Sequence, residues 1–152
     1  MTTPIKRHHS LQPLSRDHHD ALLLVWKIRK GISLNVDASR IQKYVDRFIT
    51  EHLIPHFKIE EEHLFVLAEK DSAAVKQALA EHADLILLFN SEIKNYDLLN
   101  KIADLLEAHI RFEERVLFNE IQSVAGDAEL KALEALHASH PFCDTEEEVF
   151  WK

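Results

Sequence analysis

Two glycines and four prolines in 152 residues leave this chain few means of making tight turns. That scarcity argues against hairpin-rich β architectures, and the long stretches of Leu, Ile, Ala, Glu and Lys favour an all-α protein. A single cysteine, Cys143, excludes an internal disulfide and agrees with a reducing compartment. Met1 to Asp20 holds no apolar leader-like run, and no stretch elsewhere is long and uncharged enough to span a bilayer. The expectation is a cytoplasmic protein with no membrane partner. Eighteen Lys and Arg against 26 Asp and Glu give a formal charge of −8, which disfavours a nucleic-acid backbone or anionic lipid as partner. With 46% hydrophobic residues the chain can bury one sizeable core, so 1–152 reads as one domain.

The periodicity predicts four long helices and a short fifth. The first runs from Leu11 or Ser15 to Lys30, with Leu14, Leu22, Val25 and Ile28 on its apolar side and Gly31 as its stop. Asp37 or Ser39 caps the second, which continues to about Glu69 and contains Pro55, predicting a kink there. Asp71 and Ser72 open the third, which carries Val75, Leu79, His82, Ile86, Phe89 and Ile93 and ends near Asn95. The fourth spans Leu98 to Val124, with Ile102, Leu105, Leu106, His109, Glu113, Val116, Leu117 and Ile121 in its stripe. After Gly126 comes the short helix to His140, and Pro141 opens an acidic tail. Short connections between long amphipathic helices predict an up-down-up-down four-helix bundle over about 11–124, with the fifth helix and tail over about 127–152. Trp26, Phe57, Phe89 and Phe112 fall at core spacing, and Glu146, Glu147 and Glu148 read as a solvated face.

One ten-residue pattern occurs twice. His56-Phe57-Lys58-Ile59-Glu60-Glu61-Glu62-His63-Leu64-Phe65 is matched by His109-Ile110-Arg111-Phe112-Glu113-Glu114-Arg115-Val116-Leu117-Phe118. A histidine four residues before a glutamate stacks imidazole and carboxylate on one helix face. Eleven histidines and sixteen glutamates give about one such pair by chance. The frame shared around the two pairs is what lifts them: a basic residue third, a second glutamate after the first, and Leu-Phe closing both. A charged glutamate on an apolar stripe is costly unless it is paired or bound to a cation.

The other two helices offer further histidines. Leu14 and Leu22 put His18 on the core stripe of the first, while its neighbour His19 lines up with Leu23 and Trp26. His82 is the histidine on the apolar stripe of the third. The set His18, His56, Glu60, His82, His109 and Glu113 is too large for one tetrahedral zinc and suits iron, most naturally as two ions bridged by the carboxylates. A manganese or mixed pair would use nearly the same ligands. His19 and His63 are further candidate ligands, and Glu61 and Glu114, about 100° from the bridging positions, read as solvated or as partners of the ligands. His63 makes a lone Glu-x-x-His with Glu60. A ferritin-like di-iron protein needs that motif on two helices, and the second copy has Val116 there. His52 reads as a capping or surface residue, and His8, His9, His137 and His140 as surface residues.

The run Leu14-Ser15-Arg16-Asp17-His18, the paired His-x-x-x-Glu-Glu-x-x-Leu-Phe segments and His82 resemble the hemerythrin-like, or HHE cation-binding, domain family over about Leu11 to Val124. The resemblance implies two Fe ions, oxo- or hydroxo-bridged, with His18, His56, His82 and His109 as terminal ligands and Glu60 and Glu113 as bridges. It implies a protein that binds dioxygen or a related small ligand such as peroxide or nitric oxide, for sensing, storage or protection. Two positions depart from the oxygen carriers of that family. Their second third-helix histidine is Ile86 here, and their fourth-helix carboxylate lies five residues after its histidine rather than four. These departures count against reversible oxygen carriage and towards sensing, peroxide or nitric oxide chemistry, or iron handling. The alternatives to the ligand-binding reading are an oxidoreductase reducing peroxide or nitric oxide at the same centre, or a non-redox iron-binding or interaction module.

Overall fold

The computed structural model describes residues 6–136, 144 and 148–152, and among them the chain is helical, with no strand. Helix α1 (Gln12–Ser33) has Pro13 in its first turn, where a missing N–H costs nothing. It runs straight through Gly31, correcting the expected stop. The terminator is Asn35, at φ 57°, with Val36 N–H reaching Gly31 O and Asn35 N–H reaching Ile32 O at 3.0 Å each, the paired bonds of a left-handed helix cap. Gly31 serves another purpose. A Cβ there would lie 2.6 Å from Phe150 Cε2 and 3.0 Å from Ile41 Cδ1, so the glycine admits the aromatic ring of the C-terminal segment. Substituting Gly31→Ala is therefore expected to destabilise the fold by about 1–3 kcal/mol through overpacking, although alanine is the better helix former. Urea denaturation checks this, and an unchanged or higher midpoint would mean that Phe150 is not seated there.

Asp37 caps α2 (Ala38–Phe48) by accepting from Ser39 N–H. The helical path then continues through a π turn (Ile49–Leu53), α3 (Ile54–Ile59), a second π turn (Glu60–Leu64) and a 3₁₀ turn (Phe65–Leu67). The first π turn is how the chain accommodates Pro55. The proline has no N–H to give, and Ile54 N–H immediately before it reaches back five residues to Ile49 O.

Ser72 caps α4 (Ala73–Phe89), whose buried face is Ala78, His82, Leu85 and Phe89. Leu79 is partly exposed and Ile93 largely so, unlike the expected stripe. The helix stops short of Asn95 because the next turn is tied to α2: buried Lys94 donates to Asp46 at 2.7 Å and to Ser91 O at 2.9 Å, and its N–H reaches Gln42 at 2.8 Å. Asn95 caps α5 (Tyr96–Phe112), which passes through a third π turn (Glu113–Leu117) into α6 (Phe118–Val124). Helix α7 (Asp127–Leu136) follows. His137, His140, Pro141, Cys143, Glu146 and Glu147 lie outside the described residues.

Two apolar clusters organise the interior. One gathers Leu24, Ile28, Ile41, Val45, Leu85, Leu99, Ile102 and Leu106, and the other Leu11, Leu14, Leu64, Ala78, Leu117, Phe118 and Ile121. Along α1 and α4 the chain passes from the second cluster to the first, and along the α2–α3 and α5–α6 paths from the first to the second. The α1 and α4 paths cross between the clusters at His18 and His82, and the other two cross beside Glu60 and Glu113, four residues after His56 and His109. The C-terminal segment closes over the first cluster, with Arg47 pairing Glu148 at 2.6 Å, Lys27 pairing Asp144 at 3.0 Å, and the Lys27 ammonium 4.1 Å from the Trp151 ring centre. Glu148 is thus ion-paired rather than merely solvated. Trp26, expected in the core, is half exposed, because the buried stripe of α1 runs through Val25 and Ile28 on either side of it. No helix of the described residues is long and apolar enough to cross a membrane.

Candidate metal centre

The layer between the apolar clusters is polar and dry. His18, His56, His82 and His109 are at most 4% exposed, and Glu60 and Glu113 are at 0%. The six side chains form two groups, each with ligand-capable atoms within 4.8 Å of one another: His18, His56, Glu60 and Glu113, and Glu60, His82, His109 and Glu113. Both glutamates belong to both groups. Glu60 turns Oε2 toward His56 Nε2 at 3.1 Å and His18 Nε2 at 3.4 Å, and Oε1 toward His82 Nε2 at 3.2 Å. Glu113 Oε1 lies 2.7 Å from His109 Nε2 and 3.3 Å from His18 Nε2.

The histidines pair edge to face, His18 with His56 at 4.8 Å between ring centres and His82 with His109 at 4.7 Å. Aromatic rings wall each pair, Phe118 stacking on His18 at 5.0 Å and Phe57 on His82 at 4.0 Å.

Local backbone explains the placement. Each of the last two π turns begins on a glutamate, Glu60 or Glu113. A turn closed over five residues brings the positions four and five after that glutamate onto its own face. Those positions are Leu64-Phe65 and Leu117-Phe118, all four buried. The Leu-Phe ending of the repeat is therefore the apolar floor beneath the carboxylates.

Beyond these contacts with one another, none of the inward atoms has a hydrogen-bond partner: the Nε2 atoms of all four histidines and all four oxygens of Glu60 and Glu113 are buried and meet no other polar group. Burying such atoms without partners costs kilocalories each, so the arrangement fits a cation. In its absence, protons take that place. Burial pushes His56 and His109 down, but Glu60 and Asp17 outweigh it at His56, and Glu113 and Glu81 at His109, leaving both at about 9. His18 behaves alike and stands well above the usual histidine range, its burial outweighed by Glu113, Glu114 and Glu60. Burial raises Glu60, but the surrounding imidazoles carry it well below the carboxylate range.

A pH dependence follows with a definite sign. Raised histidines contribute stability that is fully present below pH 6.5 and is lost as pH rises through about 9. The lowered Glu60 contributes stability that is present above pH 4.5 and lost in acid. His52, held down by burial, opposes the three raised histidines. The metal-free protein is thus expected to be most stable near pH 5–6 and to weaken toward pH 9, as chemical denaturation across that range will show. A flat profile above pH 6.5 would mean that the imidazoles are not held charged.

The outer nitrogens meet a second set of acids. Asp17 lies 2.9 Å from His56 Nδ1, Glu114 2.9 Å from His18 Nδ1 and Glu81 2.7 Å from His109 Nδ1. Glu61 comes within 3.3 Å of His82 Nδ1 without hydrogen-bond geometry. Glu61 and Glu114 are therefore partners of histidines on other helices and lie outside the two inner groups. Sequence reasoning missed Asp17 and Glu81, though a signal existed: an acid adjoins four of the six inward positions, in Asp17-His18, Glu60-Glu61, Glu81-His82 and Glu113-Glu114. His19 is exposed and His63 sits 3.8 Å from Glu62, so neither joins the inner groups. His52 is buried rather than at the surface as expected, because the π turn carries it under α1, where it lies 3.4 Å from Asp17 O and forms a third acidic group with Asp17 and Asp20. His8 makes an end-cap with Ser10 and a contact of 3.1 Å to Asp127. No protein-family model, curated protein or solved structure matches this chain.

Proposed function

We propose that this chain is a hemerythrin-like di-iron protein that binds dioxygen or a related small ligand in a sensing, storage or protective role. His18 and His56 would hold one ion, His82 and His109 the other, with Glu60 and Glu113 shared between them. The observation that carries this reading is the sharing itself: both carboxylates belong to both buried groups, and every inward nitrogen and oxygen lacks another partner. Four imidazoles and two carboxylates form a hard-to-borderline donor set suited to iron. Bound there, an iron pair supplies one electron from each ion to a ligand that accepts two. The alternation of the two apolar clusters along successive helices supports an up-down-up-down bundle as the scaffold.

Ile86 favours a second reading. It stands one turn after His82 and packs against the first apolar cluster, so α4 gives the site one imidazole and each group holds two. Ions with so few protein ligands leave positions for exogenous ones, which suits an oxidoreductase acting on peroxide or nitric oxide. Metal analysis with visible spectra of anaerobically reduced, iron-loaded protein before and after air tests both readings. Two irons per chain and a new charge-transfer band support the di-iron reading, and a chain that folds and refuses iron overturns it. A band that persists indicates ligand binding, while repeated turnover with a supplied reductant indicates the enzyme.

A further inference from the structure

The four outer acids form a closed circuit. Asp17 of α1 reaches His56 of α3, Glu61 of the following π turn reaches His82 of α4, Glu81 of α4 reaches His109 of α5, and Glu114 of the next π turn returns to His18 of α1. Each helical path gives one acid to the histidine of the next, and the last gives to the first. The histidines are at most 3% exposed in their side chains, whereas Asp17 is 16% exposed, Glu81 28%, Glu114 30% and Glu61 39%. The acids thus stay partly exposed beside buried imidazoles. A backbone carbonyl would orient the rings equally well, so four carboxylates imply a use for the charge.

We infer that the ring of Asp17, Glu61, Glu81 and Glu114 sets the reduction potential of the metal pair, lowering it so that the oxidised pair is favoured over the reduced one. The inference rests on the metal-pair reading above. A carboxylate accepting the outer N–H makes an imidazole more basic and a better donor to a higher-charged ion. Charge counting points the same way. The two inner and four outer carboxylates carry six negative charges, and a surplus of negative charge favours two trivalent ions over two divalent ones. Within the circuit, Arg7 is 3.8 Å from Glu114 and offsets part of one charge. Such a bias favours a centre that gives up electrons and disfavours one that regains its reduced state each time a ligand leaves.

The effect has a rank order. Glu81 makes the shortest contact, at 2.7 Å, while Glu61 is at 3.3 Å without hydrogen-bond geometry. Protein loaded anaerobically with ferrous iron is titrated against redox mediators, each ion losing one electron to the mediator, with metal content measured on the same samples. Asp17→Asn, Glu81→Gln and Glu114→Gln should each favour the reduced form about tenfold, a rise of about 59 mV per one-electron step. Glu61→Gln should shift less, Glu81→Asp should restore most of the loss, and Glu62→Gln, which removes an exposed neighbouring charge, should leave the potential in place. Where a variant binds iron too weakly to titrate, the ratio of its ferric to ferrous affinities reads the same equilibrium. Shifts below twofold in Asp17→Asn, Glu81→Gln and Glu114→Gln, with the iron pair retained, would overturn the inference alone. An equal shift in Glu62→Gln would overturn it too, by assigning the effect to general surface charge. Wild-type protein without an iron pair would overturn the reading beneath it.

Discussion

Glu60→Ala is expected to empty both metal positions at once. The carboxylate belongs to both groups, with one oxygen toward the His18 and His56 side and the other toward His82. Removing it takes a donor from each ion and leaves Glu113 as the one carboxylate common to both. Loss of a supporting partner alone costs about 10–100-fold in metal affinity, so loss of a shared ligand should exceed about 100-fold. His18→Ala and His82→Ala are expected to behave differently, since each takes a donor from one group and leaves the other intact. Metal content by mass spectrometry on the three variants distinguishes these outcomes. Unchanged stoichiometry in Glu60→Ala would sink the bridging assignment, and equal losses in all three would point to a single ion.

That contrast depends on a feature only partly legible in the sequence. The two His-x-x-x-Glu segments announce themselves, because helical spacing alone puts each imidazole over its carboxylate. His18 and His82 also follow from phase, each falling on an apolar stripe. What linear spacing hides is any departure from regular helix. The π turns at Ile49–Leu53, Glu60–Leu64 and Glu113–Leu117 shift the phase of whatever follows, so His52 becomes buried and consecutive Leu-Phe residues share one face. Gly31 misled for a related reason. Glycine is a common helix stop, but at Gly31 it makes room for Phe150, which lies more than a hundred residues away, and the stop is Asn35. Asp17 and Glu81 went unrecognised because each serves a histidine on another helix. Such a partnership leaves no mark in local periodicity.

Metal loading is expected to raise the thermal midpoint by about 15–30 °C. An ion present at a thousand times its dissociation constant stabilises the folded chain by about 4 kcal/mol, and two ions by about 8. For a chain of this size each kilocalorie is worth about 2–4 °C. The reason for so large a dependence lies in the layer between the two apolar clusters, where eight inward nitrogen and oxygen atoms lack partners beyond one another. Folding without metal must bury them regardless, and protons on the imidazoles only partly compensate. The double variant Glu60→Met, Glu113→Met separates metal binding from this cost. It keeps the side-chain length, joins the apolar clusters across the layer, and frees the imidazoles to fold neutral with their outer nitrogens still facing Asp17, Glu81 and Glu114. Replacing buried charge by fitting apolar groups is often neutral or stabilising by about 1–4 kcal/mol. The variant should therefore melt at or above the metal-free wild type and show no response to iron. A wild type whose midpoint ignores metal, or a methionine variant that melts far below the metal-free chain, would mean that Glu60 and Glu113 stabilise the fold by themselves. Their burial would then reflect architecture, with no cation required to explain it.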